Sequence, residues 1–217
     1  MRPITVTVGP LVASATTAVA LSQTPGAGTA LTLNGTLVTG GVAVFDVART
    51  VLFSSGGNNS NTTFTITGTD WAGNPISEAL VGSNGGTKTS LLSYKTVTSI
   101  TSSTASAAGL TVGTGTTASS PWVRLDEFCP GGTGIQVNAF GTVNYTVQQT
   151  FDDPNSPTNP IAPASMTWIN HPDTALVSAT SSIQSNYAYA PLWVRIVLNS
   201  GTGNAVGTFA QAASAVY

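Results

Sequence analysis

Apolar and polar residues alternate along most of the chain with a period of two, the spacing that sends successive side chains to opposite faces of a strand. Ile4-Thr5-Val6-Thr7-Val8 is the first such run. The same pattern predicts strands over 30–32, 36–38, 42–47, 51–54, 62–69, 77–81, 91–101 and 109–112. A second series follows at 121–125, 134–139, 142–151, 175–178 and 192–199. Gly, Asn and Pro separate nearly all of these runs. Asn34-Gly35 is the strongest hairpin signal, because a type I′ turn needs positive φ at both central residues. Gly56-Gly57-Asn58-Asn59 and Asn84-Gly85-Gly86 read as longer turns. Helical periodicity is weak and confined to 11–21 and 208–216. Short strands at close spacing predict an all-β protein of one or two β-sandwich or barrel-like domains with extended arms.

The Ser/Thr/Gly stretch 113–120 is the expected linker. The predicted plan is an extended N-terminal arm (1–28), an N-terminal β domain (29–112), the linker, and a C-terminal β domain (121–217). Residues 152–173 interrupt the β rhythm, with prolines at 154, 157, 160, 163 and 172 that cannot sustain ladder hydrogen bonds. They read as a proline-rich arm, suited like residues 1–28 to contact with a neighbouring subunit.

Composition sharpens this picture. Among 217 residues are 35 Thr and 23 Ser, against six basic and eight acidic residues and a net charge of −2. So small a basic complement argues against nucleic acid as a partner. The 41% hydrophobic content argues against charge-driven disorder. A soluble domain ordinarily keeps itself monomeric with mixed surface charge, so a surface this neutral predicts an assembly component. No apolar run approaches the roughly 18 residues of a membrane span, and no membrane partner is expected. Met1-Arg2 with the apolar stretch 11–21 imitates a signal peptide. Strand-like Ile4–Val8 and the break at Gly9-Pro10 argue for a retained segment instead.

Catalysis requires titratable groups in convergent positions, and this chain offers few. His171 is the only histidine and Cys129 the only cysteine. Neither sits in a nucleophile motif, so a structural histidine and a small thiol beside the turn Pro130-Gly131-Gly132 are expected. The paired carboxylates Asp126-Glu127 and Asp152-Asp153 are expected to cap turns or pair with arginines. A calcium site from Asp152, Asp153 and Asn155 has the right ligand chemistry but no EF-hand spacing. One Cys and one His do not supply a zinc site. Trp122 and Trp193 alternate with Val and Arg inside apparent strands, which favours core or interface anchoring. Exposed tryptophans, Trp71 and Trp168 among them, would instead suit a carbohydrate-binding β-sandwich. The expected inventory is no catalytic residue, no cofactor and no metal.

Phe64-Thr65-Ile66-Thr67-Gly68-Thr69-Asp70-Trp71-Ala72-Gly73-Asn74-Pro75-Ile76-Ser77-Glu78 resembles a β module recurrent in small virion proteins of tailed bacteriophages. Its continuation through Leu80-Val81-Gly82, Asn84–Thr87 and Tyr94–Ile100 resembles it too. Val143–Asp153 and Thr167–Pro172 are similar to the second half of such proteins, so the likeness spans roughly residues 45–173. The resemblance implies a structural component with no catalytic residues to carry over. The expectation is a capsid cement or decoration protein, made in the host cytoplasm and placed on the capsid surface of the virion. Its partners would be the major capsid protein and its own copies, as a trimer or dimer. A tail, baseplate or head-fibre subunit is the alternative within the same class.

Overall fold

A computed structural model of the protein describes residues 3–107, 109–126, 128–129 and 132–211. The chain is nearly all β. Its strands are β1 (Ile4–Val8), β2 (Ala20–Gln23), β3 (Val38–Thr39), β4 (Val42–Asn58), β5 (Thr63–Thr69), β6 (Pro75–Val81), β7 (Asn84–Thr89) and β8 (Tyr94–Ser102). There follow β9 (Leu110–Ser119), β10 (Val123–Arg124), β11 (Thr133–Phe140), β12 (Val143–Thr150), β13 (Ile169–Asn170), β14 (Ile183–Tyr187), β15 (Trp193–Gly201) and β16 (Asn204–Gln211). Among the described residues, helical structure is confined to the short 3-10 turns Pro163–Ser165 and Thr174–Leu176. No helix there is long and apolar enough to cross a membrane. Internal contacts divide the chain into two compact units, one of residues 12–117 and one of residues 118 onward joined by the segment that ends at Leu11.

In the first unit β4 is the organising strand. It pairs with β3, β7 and β8, β8 continues to β5 and β6, and β9 lies on its other side with β2 beyond. The alternation that predicted these strands puts Phe45, Val51, Phe53, Phe64, Ile66, Tyr94, Val97, Ile100, Leu110 and Val112 inside. Phe53 and Phe64 stack with ring centroids 5.0 Å apart. Arg49 is the exception in this interior, a guanidinium only 1% exposed. It donates to the carbonyls of Gly115 and Val12 and to the Asp46 carboxylate, so a buried charge is fully partnered. Burial raises the Asp46 pKa, but the N–H groups of Val12 and Val47 and the Arg49 cation outweigh it. The carboxyl is held below its ordinary range.

The second unit is a two-layer sandwich. One layer runs β1-β16-β11-β14, each ladder antiparallel. The other runs β13-β12-β15, with β10 and the end of β9 both paired to β15. Val194, Ile196 and Leu198 of β15 and Tyr145 and Val147 of β12 point inward, against Ala205 and Phe209 of β16 and Ile135 and Val137 of β11. Gly207 lets the layers approach: a Cβ there would lie 2.3 Å from Ile196 Cδ1.

Several expected elements differ. The predicted linker 113–120 is mostly strand, since β9 extends through Ser119. Residues 1–28 are not a free arm: β1 pairs with β16 and β2 with β9. The proline-rich stretch 152–173 folds back on its own unit. There Ile161 N–H donates to Asp153 O, Thr167 N–H to Asp152 Oδ2, and His171 N–H to Val147 O. Strand signals at 42–47 and 51–54 merge into the single strand β4, which absorbs the expected turn at Gly56-Gly57. The Asn84-Gly85-Gly86 turn is the start of β7. The segment 175–178 is no strand: Ala175 and Leu176 lie in a 3-10 turn and a bend follows. The helical signal at 11–21 gives turns and the start of β2. That at 208–216 gives the end of β16, and its remainder lies outside the described residues. The hairpin turn of this region is Gly40-Gly41 (φ +59° and +82°), linking β3 to β4, and not Asn34-Gly35.

Candidate functional site

The outer face of β12–β15–β10 carries the densest gathering of aromatic and charged side chains described in the second unit. Because β15 sends Val194, Ile196 and Leu198 inward, Trp193 and Arg195 must face outward. In β10, Val123 is buried, and Trp122 and Arg124 flank it. The antiparallel register sets Val123 opposite Val194 and Arg124 opposite Trp193. The proline-rich segment then returns to lay Trp168 on this face. Trp122 sits with its ring centroid 5.1 Å from Trp168 and 6.3 Å from Trp193. The Arg195 guanidinium stacks 4.1 Å from the Trp168 ring, and that of Arg124 lies 5.8 Å from the Trp193 ring.

The polar partners are unevenly shared. Trp193 Nε1 donates to Asp153 Oδ1 at 3.4 Å, and Arg124 Nη2 lies 3.9 Å from Asp153 Oδ2. Arg195 donates through Nε and Nη2 to a single acceptor, Gln148 Oε1, at 3.0 and 2.8 Å. Gln148 passes its own amide on to Asn170 Oδ1 at 3.0 Å. The ion pairs among the described residues are Arg49–Asp46 and Arg124–Asp153, so Arg195 has no carboxylate partner there. Burial pushes its pKa down to about 9, which still leaves it a cation at neutral pH. Beside this face lies a depression of about 440 Å³, lined in part by Arg124, Phe151, Asp152, Asp153, Asn155 and Ser156.

The residues weighed for catalysis do not converge on a reaction centre. His171 is buried against Tyr187, ring centroids 4.3 Å apart, and its Nδ1 accepts from Asp173 N–H. Its Nε2, Tyr187 Oη, Gln149 Oε1 and Thr133 Oγ1 are buried without a hydrogen-bond partner. Burial lowers the His171 pKa, against the pull of the Asp173 carboxylate. Cys129 is half-buried, and its N–H donates to Asp126 O. Glu127, Pro130 and Gly131 lie outside the described residues. Asp152 and Asp153 both reach the depression, yet Asp152 Oδ2 accepts from Thr167 N–H and Asp153 Oδ1 from Asn155 N–H. Among the described residues no group of three His, Cys, Asp or Glu side chains is placed to hold a metal ion. Trp71 and Trp168, considered together from sequence, belong to different units.

The sequence reading marked Trp122 and Trp193, alternating with Val and Arg, as core or interface anchors, but not the common face that pairing makes of them. Trp-Val-Arg occurs twice, at 122–124 and 193–195, and the structure pairs the two copies antiparallel. Comparison of the chain with family models, curated proteins and solved structures gave no match.

Proposed function

We propose that the protein is a non-enzymatic structural component of a tailed-phage virion, a cement or decoration protein that bridges major capsid proteins. The observation that carries this reading is the surface itself. Leu91 is 89% and Phe128 85% exposed, and Val12, Val81, Phe140, Phe151 and Ile169 also face outward, in a chain with 14 formally charged residues among 217. Several of those charges are spent on the fold. Lys95 donates to the carbonyls of Phe45 and Asp46, Glu78 accepts from the N–H groups of Leu91 and Leu92, and Asp70 from those of Ala72 and Asn74. What remains at the surface is suited to being covered by protein. The segments that resemble phage virion modules support the same reading.

The test is location and consequence. Labelled protein imaged on intact particles is expected over the capsid lattice, and particles lacking it are expected to rupture at lower temperature, since a ligand of the assembled shell stabilises it by mass action. Density at the tail, baseplate or a fibre, with unchanged heat resistance, would replace the cement reading with the tail or fibre one.

A further inference from the structure

We propose that the outer face of β12–β15–β10 is a binding site for acidic carbohydrate, a sugar chain bearing carboxylates, with Arg195 and Arg124 as the anion contacts and Trp122, Trp168 and Trp193 as the ring platforms. This goes beyond a scaffolding role and does not depend on it.

The first support is charge. Two guanidiniums share this face with one ion-paired carboxylate, Asp153, which already accepts from Trp193 Nε1 and Asn155 N–H. Among the described residues Arg195, half-buried, has the neutral amide oxygen of Gln148 as hydrogen-bond acceptor and the Trp168 ring as cation–π partner, and no carboxylate. Neither partner carries a negative charge, so a partly desolvated cation stands without a counter-ion, and a bound carboxylate supplies one through the bidentate geometry that guanidinium favours.

The second support is shape. The two Trp-Val-Arg triplets pair antiparallel about Val123 and Val194, so Trp and Arg alternate along both directions of the face. A polymer repeating a ring and an acid matches that alternation. β15 holds Trp193, Trp122 directly precedes β10 and packs on Trp193 and Trp168, and Trp168 is held by its contacts with Arg195 and Trp122. The platform is therefore preorganised and loses little side-chain entropy on binding.

Chemistry narrows the ligand further. Aromatic faces and cations also suit single-stranded nucleic acid, but that needs a basic track along a phosphodiester backbone, and the whole chain has six Lys and Arg. An acidic peptide would use the guanidiniums alone and gain nothing from the three half-buried indoles beside them.

The experiment titrates the full-length protein with polygalacturonate oligomers and follows tryptophan fluorescence. Parallel titrations use the carboxyl-reduced oligomer, polyglutamate and single-stranded oligothymidylate. Saturable quenching by the acidic oligomer is expected, weakened at least tenfold by carboxyl reduction and by Arg195→Met, and unchanged in Trp71→Phe, which alters the other unit. Arg195→Lys, which keeps the charge and loses the fork, should fall between. If Arg195→Met does not fold by near-ultraviolet circular dichroism, the intermediate affinity of Arg195→Lys and a fall in wild-type affinity with salt carry the test. Absence of saturable binding, equal affinity for the carboxyl-reduced oligomer, full affinity in a folded Arg195→Met, or a preference for polyglutamate or oligothymidylate would each overturn the assignment.

Discussion

Two side chains show how differently a buried polar group can be handled in this protein. Arg49 is enclosed and fully partnered, so it locks β4 to β9 and to the chain at Val12. His171 is enclosed with one ring nitrogen satisfied and the other not. Its folded-state pKa lies below the ordinary 6.5 because burial disfavours the imidazolium. The unfolded chain therefore binds the extra proton first as pH falls. The stability attributable to a neutral His171 is complete above about pH 6.5 and is lost as pH falls through the folded-state value. The slope can reach at most about 1.4 kcal/mol per pH unit. The chain has no second histidine to blur that window, and the carboxyls of Asp46 and Asp173, held low, lose their ionised form only in more acid solution. Urea midpoints at pH 7.5 and pH 5.5 should differ in wild type and coincide in His171→Phe, which keeps a ring against Tyr187. Equal midpoints in wild type would refute this account.

At the scale of elements, glycines explain both what the sequence disclosed and what it concealed. Alternating strands such as β1 and β5 were legible because one face of each is more buried than the other. The division between the two units does fall inside 113–120, at Thr117 and Ala118, but the stretch is strand and not a loose linker, because Gly113 and Gly115 only look like flexibility. In the strand they make room, since a Cβ at Gly113 would collide with the Ala15 carbonyl and one at Gly115 with Thr50 Oγ1. Asn34-Gly35 misled for the same reason: Gly35 is where the backbone passes the Ala18 carbonyl, 2.3 Å from the position of a Cβ. Gly40, at φ +59°, has open space around it. Gly35→Ala should then cost about 1–3 kcal/mol, the scale of overpacking. Gly40→Asn should stay within about 0.5 kcal/mol, because Asn tolerates the left-handed region. Both lie in the same unit, so one urea transition compares them, and equal destabilisation would contradict the distinction. The Trp-Arg face was illegible for another reason. Two Trp-Val-Arg triplets can be counted in a sequence, but only register places Arg124 across from Trp193.

At the scale of the molecule, the order of the chain and the order of the fold part company at β1. Ile4–Val8 pairs in full register with Ala205–Phe209, yet the chain that follows enters the other unit at Val12. Deleting residues 1–9 should bare the β16 edge and uncover Ala205 and Phe209 in the sandwich. The expected result is faster hydrogen exchange across β11 and β16, with β4, β5 and β8 protected as before. Uniform loss of protection would show that the two units unfold together, and no change would show that β1 adds nothing.

The same connection sets a schedule on the ribosome. Residues 12–117 can complete their own ladders as soon as they emerge, whereas β1, made before that unit, has to wait for β16, made after it. Throughout that interval an alternating Ile-Thr-Val-Thr-Val segment stands without its partner, open to pairing with the identical segment of a neighbouring nascent chain. Slowing translation, or crowding many copies onto one message, should therefore favour misassembly through this segment, and a charged residue at Thr5 or Thr7, outside the buried face, is where a protective substitution belongs.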